Sequence, residues 1–572
     1  VLSYKQQVKE ESRNKIWSRA IKKLTKERKN QYIIKKEYIK NLWNYSFNEI
    51  LKNTIYDKKT ITSWVDFSDT LNIKKNPNQL KIAYFCGPEP ENDLDILIKL
   101  GVKVENVWAI EADKKTYQKA IESVRIKYPT LKIFNGDISD LVKAISFKFD
   151  IIYLDFTAPL ISSKSKPLLK INSIFEHHAL EDLGILIING ALPENNSDNV
   201  DFLASYFRSQ TFLESPIITG DDTDVYYTEG SDAQGLFTDE EIAEITKSGE
   251  CDWIDENDSF NKKIKENFAS TYSAFCTHYP AMVASYAQPI HNVSTIPSLK
   301  RMFFKTDIKT IKNCLERIAT PSDKLFKNID YDKLLSDDEY AKKVDLTGSE
   351  LYEQHQEFPI WSFISRLSRS KNSLSSYWNQ QFNKKNDGCL SLESIQLYDL
   401  LKTAHYSYKS ILSDTLSNSI EEIMEKIPDR HGGIFCDVPM PHLWMELALN
   451  HLGGTYHINT KQHWRAKYKA KEHEMYLDMF VFDKCRALYD WLPMLDLYGT
   501  YISAIERQII VRSCMDAIKK QCHYSFFDLY FGSHLIGIHT KEWSGCPNLK
   551  IRHNLNNPNE KVIYKAFMAN NI

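Results

Sequence analysis

The stretch "KIAYFCGPEPENDLDILIKLGV", residues 81–102, decides how the chain is read. Apolar "KIAYFCG" has the make-up of a buried strand, and Gly87 marks a turn that tolerates positive φ and a close backbone approach. "ENDLDILIKLG" then takes up helical periodicity, with Asn92 or Asp93 placed to cap its first turn. Two prolines, Pro88 and Pro90, stand where further glycines would suit a ligand loop. Each fixes φ at about −65° and removes an N–H donor. The stretch is therefore either a ligand loop on an unusual path or the remnant of one on a retained scaffold.

Outward from this stretch, apolar strands and amphipathic helices alternate. "NVWAIEAD" (106–113) precedes helical "KKTYQKAIESVRIKY" (114–128), and "LKIFNGD" (131–137) precedes "SDLVKAI" (139–145). "FDIIYLDF" (149–156) leads to helical "KPLLKINSIFEHHALED" (166–182), and "LGILIING" (183–190) closes the series. Strands apolar on both faces, each followed by a helix, predict a doubly wound parallel α/β sheet with right-handed crossovers. Ligands bind such sheets at the C-terminal ends of the strands. There the sequence puts Gly87, then Glu111 with Asp113 close behind, then Asp137, then Asp155.

In this order of motifs, residues 78–192 resemble the class I S-adenosylmethionine-dependent methyltransferase superfamily, with "VWAIEAD" and "NGDISDL" as the better-matched parts. The resemblance implies a Rossmann-like domain. It implies that Gly87 and its neighbours approach the methionine part of S-adenosylmethionine, that Glu111 holds the ribose, and that Asp137 and Ile138 meet the adenine. Asp155 would face the reaction centre as the catalytic group. The first motif departs from the family: Tyr84 stands near its usual acidic position and only Gly87 remains of its glycines. Glu89 or Asp93 is then the group expected to take the cofactor's ammonium. "DFTAP" (155–159) lacks the Pro-Pro-aromatic motif of amino-methyltransferases acting on bases, and no Pro-Cys dipeptide offers a cytosine-C5 nucleophile. Phe156 is a candidate base-stacking residue or a core aromatic.

The remainder of the chain reads through charge and periodicity. Its 572 residues, with a net charge of −2, hide an asymmetry: 13 basic and 4 acidic residues in 1–40, against 2 basic and 18 acidic in 194–258. The basic N-terminal helix carries an apolar stripe (Ile16, Trp17, Ala20, Ile21, Leu24) under a charged face, suited to phosphates or to packing on the chain itself. Three regions are expected: a basic helical segment (1–77), the Rossmann-like domain (78–310) with an acidic insertion at about 194–270, and a mainly helical target-recognition or interaction part (311–572). Residues 279–289 and 299–308 are candidates for the last strands of the sheet. In "HWRAKYKAKEHEMYLDMFVFD" (463–483), Arg465, Lys467, Lys469 and Lys471 alternate with Trp464 and Tyr468, the pattern of a nucleic-acid groove or of an ordinary sheet with one basic face.

Ten cysteines without a CxxC pair argue against a zinc ribbon or a disulfide framework and fit a cytoplasmic protein. The histidines around 442–463 fit no metal spacing. No apolar run long enough for a membrane span occurs, and the opening residues show no secretory signal. The function expected is a methyltransferase-like protein acting on a macromolecular target, nucleic acid before protein. The alternative is an inactive methyltransferase-like scaffold or sensor subunit that works through protein partners or as a homo-oligomer.

Overall fold

The computed structural model describes residues 7–33, 58–211, 217–218, 225–226, 257–266, 268–284, 363–364, 367–382, 414, 456–459, 462–484, 486 and 550–551. Its centre is the expected parallel sheet: β1 (Ile82–Phe85), β2 (Val107–Glu111), β3 (Lys132–Asn135), β4 (Phe149–Asp155) and β5 (Leu180–Ala191). These are linked through α3 (Glu91–Lys99), α4 (Lys114–Val124), α5 (Ile138–Ala144) and α6 (Pro167–Glu176). Pairing runs β3-β2-β1-β4-β5, all parallel, so the chain reverses its direction of travel between β1 and β4. The fold is Rossmann-like.

Beyond β5 the sheet continues with β10 (His473–Asp483), antiparallel to β5, then β9 (Trp464–Ala470) and β11 (Lys550–Ile551); β8 (His457–Ile458) also pairs with β10. The described residues thus build a nine-stranded sheet, with a separate two-residue pair β6 (Ile217–Ile218) and β7 (Val225–Tyr226). Two expectations are corrected here. The closing strands come from 464–483, whereas 268–282 form a helix that covers 279–282; residues 299–308 lie outside the described residues. The boundary expected at 310 does not separate the described residues, because the sheet runs across it.

The helix expected over 166–182 stops at Glu176. His177 and Ala179 donate backbone N–H groups to Ser173 and Ile174 carbonyls, and His178 takes φ 50°. A left-handed residue just past the last turn ends a helix, and the chain re-enters the sheet at Leu180.

Helix α1 (Gln7–Leu24) packs on one face of the sheet, and its apolar stripe is the one read from the sequence. Ile16, Trp17, Ala20 and Leu24 are fully buried in a core shared with β1, β4, β5 and β9. Trp17 meets Tyr84 and Tyr153 edge-on at 6.3 and 5.5 Å. Just past the end of α1 the chain is tied to residues more than 400 positions further on. Asn459 Nδ2 donates to the Gln31 carbonyl at 2.8 Å, and Ile33 N donates to Asp483 Oδ2 at 2.9 Å. Helix α1 of the expected N-terminal segment is therefore part of the central core. Helix α2 (Lys58–Leu71) follows it.

The opposite face is covered by α7 (Ser197–Thr211), α8 (Asn257–Glu266), α9 (Phe268–Met282) and α10 (Ser373–Phe382). Phe202, Tyr206, Phe275 and Tyr279 form an aromatic cluster there, and Trp378 Nε1 donates to the Ile161 carbonyl at 2.8 Å. Among the described residues no helix is long and apolar enough to cross a membrane. Cys86 and Cys276 are buried thiols outside any disulfide; the other cysteines and most of the acidic insertion lie outside the described residues.

Candidate functional site

A cleft of about 250 Å³ opens at the C-terminal ends of β1 to β4, where the strand order reverses. It gathers Gly87, Glu89, Glu111, Asp137, Ile138 and Asp155, the six residues that the sequence placed at one centre. Four adjacent parallel strands, β3, β2, β1 and β4, end side by side and bring them together; no contact between them is needed beforehand.

The second proline of the first loop, Pro90, has definite work. Gly87 takes φ 59°, and a Cβ built there meets no atom within 4 Å, so the turn is left-handed and faces open space. Pro90 is the N-cap of α3, and its carbonyl accepts the backbone N–H groups of Asp93 and Leu94. The same carbonyl accepts a hydrogen bond from Tyr84 Oη at 2.8 Å. Tyr84 is fully buried and ties the loop to β1. A hydroxyl and a proline thus hold the turn that glycines would otherwise shape.

Asp93 does not cap α3 and does not line the cleft. It is buried, accepts from Trp17 Nε1 at 2.8 Å and pairs with Arg13 Nε at 3.3 Å. Of the two acids expected to meet an ammonium, only Glu89 faces the cleft, where it also accepts from Asn92 Nδ2 at 2.9 Å. Asp113 is likewise drawn off as the N-cap of α4, bonded to the Thr116 backbone and hydroxyl. Glu111 remains at the end of β2, accepting from Asp113 N at 2.8 Å, and burial raises its carboxyl above the usual range. Asp137 caps α5 through Ser139 N and pairs with Lys170 Nζ at 2.8 Å. A carboxylate has further lone pairs for a ligand donor.

Asp155 is oriented from behind. Asn189 is its register partner on β5 and donates Nδ2 to Asp155 Oδ1 at 2.7 Å and to Tyr468 Oη at 2.7 Å. Phe156 is buried and meets Phe85 edge-on at 5.4 Å, so it belongs to the floor of the cleft.

Reading the sequence missed Lys9, Arg13 and Lys170 on the cleft wall, and Asn189 and Tyr468 behind it. A signal for Asn189 was present, since it is an uncharged polar residue inside the apolar run "LGILIING". Arg13 left none, because its partner is distant in sequence. Burial alone would lower its pKa, but the carboxylates of Asp93 and Asp155 outweigh that and hold it above its ordinary value.

The basic strand is corrected most. Arg465 is 1% exposed; it donates to the Ser273 carbonyl and hydroxyl at 2.9 Å and lies 3.6 Å from Asp478, which also holds His463 and Thr277. It is sealed beneath α9 and cannot reach nucleic acid. Lys467 pairs with Glu474 at 2.9 Å, while Lys469 and Lys471 are exposed near the hairpin turn. Among the described residues no group of three metal-ligating side chains forms.

No family model matches the chain, and no curated protein matches it. Among solved structures, an S-adenosylmethionine-dependent methyltransferase from Clostridium acetobutylicum ATCC 824 aligns at 20% identity with a TM-score of 0.17, over 33% of this chain and 67% of that one. At that similarity the alignment carries no argument about the site, and the fold rests on the strand order itself.

Proposed function

We propose that the cleft binds an adenosine-containing cofactor, S-adenosylmethionine, and that the protein transfers its methyl group to a macromolecular acceptor. The observation that carries this reading is the convergence of Glu111, Asp137 and Asp155 with a left-handed Gly87 around one cleft at the switch point of the sheet. The residues suit the ligand. Gly87 leaves open space for a close approach, Glu111 offers a carboxylate to paired ribose hydroxyls, and Asp137 and Ile138 border the adenine end. Glu89 is placed for an ammonium.

The cofactor would supply an activated methyl group. The chain's own part is alignment and proton handling, the main aids such a transfer needs. Asp155, held by Asn189, orients the acceptor's nucleophilic atom or takes its proton at a free carboxylate lone pair. The acceptor enters at the open side, beside exposed Thr157. Nucleic acid is our preferred acceptor. The β9–β10 turn lies level with the end of β5, on the same edge of the sheet as the cleft, and carries the exposed Lys469 and Lys471. Arg465 takes no part.

Calorimetric titration with S-adenosylmethionine tests the reading. Micromolar binding is expected, with Glu111→Ala and Asp137→Ala each weakening it by about tenfold or more, the worth of one hydrogen bond to a charged group. Unchanged affinity in both folded variants contradicts the assignment.

A further inference from the structure

The segment that follows Asp155 is marked by its charge. Between Asp155 and Glu176 the chain carries Lys164, Lys166 and Lys170 and no acidic residue. Lys170 pairs with Asp137. Lys164 and Lys166 are exposed, and their side chains make no ion pair or hydrogen bond among the described residues. The same loop lines the cleft through Thr157, Ala158 and Ser165. Ser165 Oγ is buried and has no hydrogen-bond partner among the described residues.

The loop is held in one shape from two sides. Phe156 N donates to the Asn189 carbonyl at 2.9 Å and Ala191 N to the Ala158 carbonyl at 3.3 Å, which lays the first residues along the end of β5. From the helical layer, Tyr272 Oη accepts from Leu160 N at 2.8 Å, and Trp378 Nε1 donates to the Ile161 carbonyl at 2.8 Å. Ser162 N then donates to the Pro159 carbonyl at 3.0 Å, and Lys166 N to the Ser162 carbonyl at 3.1 Å. Lys166 is left-handed at φ 51° and ψ 48°, and α6 begins at Pro167 without a side-chain cap. Both lysines therefore stand on a fixed loop, and Lys166 adjoins the positive end of a helix. We infer that Lys164 and Lys166 hold the phosphodiester backbone of a single-stranded nucleic-acid acceptor. The inference rests on the acceptor reading given above and adds where the backbone lies. The loop leaves the sheet beside Asp155, and β5 and β10 follow β4 in order, so two strand spacings, about 10 Å, separate it from the β9–β10 turn with exposed Lys469. A backbone running between these lysines passes the mouth of the cleft. A single strand suits the task, because a base entering the cleft has to leave its stack.

The test uses a fluorescent single-stranded RNA of mixed sequence, about 20 nucleotides long so that it fills a single-strand site, and the DNA of the same sequence. Each is titrated with the full chain, and anisotropy is read between about 50 and 200 mM salt. The wild-type protein is expected to bind at least one strand with a clear salt dependence. With Lys164→Gln and Lys166→Gln together, affinity at the lowest salt should fall by about threefold or more, and the log–log salt slope should lessen by roughly one per lysine. Lys164→Arg with Lys166→Arg should keep both the affinity and the slope. S-adenosylmethionine should bind the glutamine variant as it binds the wild-type protein, since neither lysine lines the cleft. An unchanged slope in the glutamine variant overturns the inference, as does binding of neither strand to the wild-type protein. Displacement of the strand by polyglutamate of equal charge overturns it in favour of an acidic protein partner. None of these results touches the cofactor reading, which falls only if S-adenosylmethionine itself does not bind.

Discussion

Two basic segments with interleaved aromatics look alike in the sequence and end in opposite settings. In α1, Arg13 and Trp17 lie one turn apart; in β9, Arg465 neighbours Trp464. Each arginine meets a buried aspartate, Asp93 in one case and Asp478 in the other. Arg13 lines the cleft, whereas Arg465 is closed in by Ser273 of α9. The pattern of charges and rings specifies which side chains share a face. What covers that face is decided by an element far away in the chain. Basic–aromatic alternation is therefore a statement about amphipathicity, and its use depends on the neighbour.

Exchange of the sealed arginine gives the largest effect expected. Arg465→Met should lower stability by about 3–5 kcal/mol in denaturant unfolding, because it strips a charge partner from buried Asp478. A loss below about 1 kcal/mol would mean that the β9 arginine is not integral to the core, and the contrast with Arg13 would fail. Gly87→Ala comes next. A left-handed conformation costs a residue with a side chain about 1–2 kcal/mol, and cofactor affinity should fall with it. Unaltered affinity and stability together would show that the turn does not need its positive φ.

Tyr468→Phe is the more delicate probe of the link between β9 and the cleft. It removes the hydroxyl that accepts from Asn189, at about 1 kcal/mol of stability. The methyl-transfer rate should fall while cofactor affinity holds, since Asp155 loses a fixed neighbour. The smallest structural effect belongs to the exposed lysines. Lys469→Gln with Lys471→Gly should change stability by less than about 0.5 kcal/mol, yet weaken nucleic-acid binding and reduce its salt slope by roughly one per lysine. Equal binding before and after removes nucleic acid from the β9–β10 turn.

The N-terminal helix also sets a pH dependence. Lys23, buried at the base of α1 and bonded to Gln462, is lowered to about 7 by burial first and by Arg19 second. Between about pH 7 and its ordinary 10.5 the folded chain holds this lysine neutral while the unfolded chain keeps it protonated. The unfolded state then binds more protons, so stability rises with pH across that window. Denaturation at pH 7, 8 and 9 should show the rise, and Lys23→Met should flatten the part that Lys23 contributes.

Much of the fold was legible because local patterns and tertiary position agree in it. The five parallel strands are apolar runs bounded by helices, and the polar residues at their ends fall into one cleft by topology alone. The stripe on α1 was equally legible. The role of α1 was not, since nothing local in "KEESRNKIW" reveals that Asp93 will take Arg13 and Trp17 and leave Lys9 on the cleft wall. The β9–β10 pair was read as strand-like, yet its place beside β5 depends on a pairing made across some 280 intervening residues, from Ala191 to Met475. In the first loop, the missing glycines read as a deficit. Tyr84 donating to the Pro90 carbonyl shows how a different set of residues closes the same turn.

Hydrogen exchange with and without S-adenosylhomocysteine tests the central claim most directly, since it locates the ligand as well as detecting it. The account predicts slowed exchange in 86–94, 111–113, 136–139 and 155–158, together with the first turns of α1. Protection confined elsewhere, or none at saturating ligand, would contradict it.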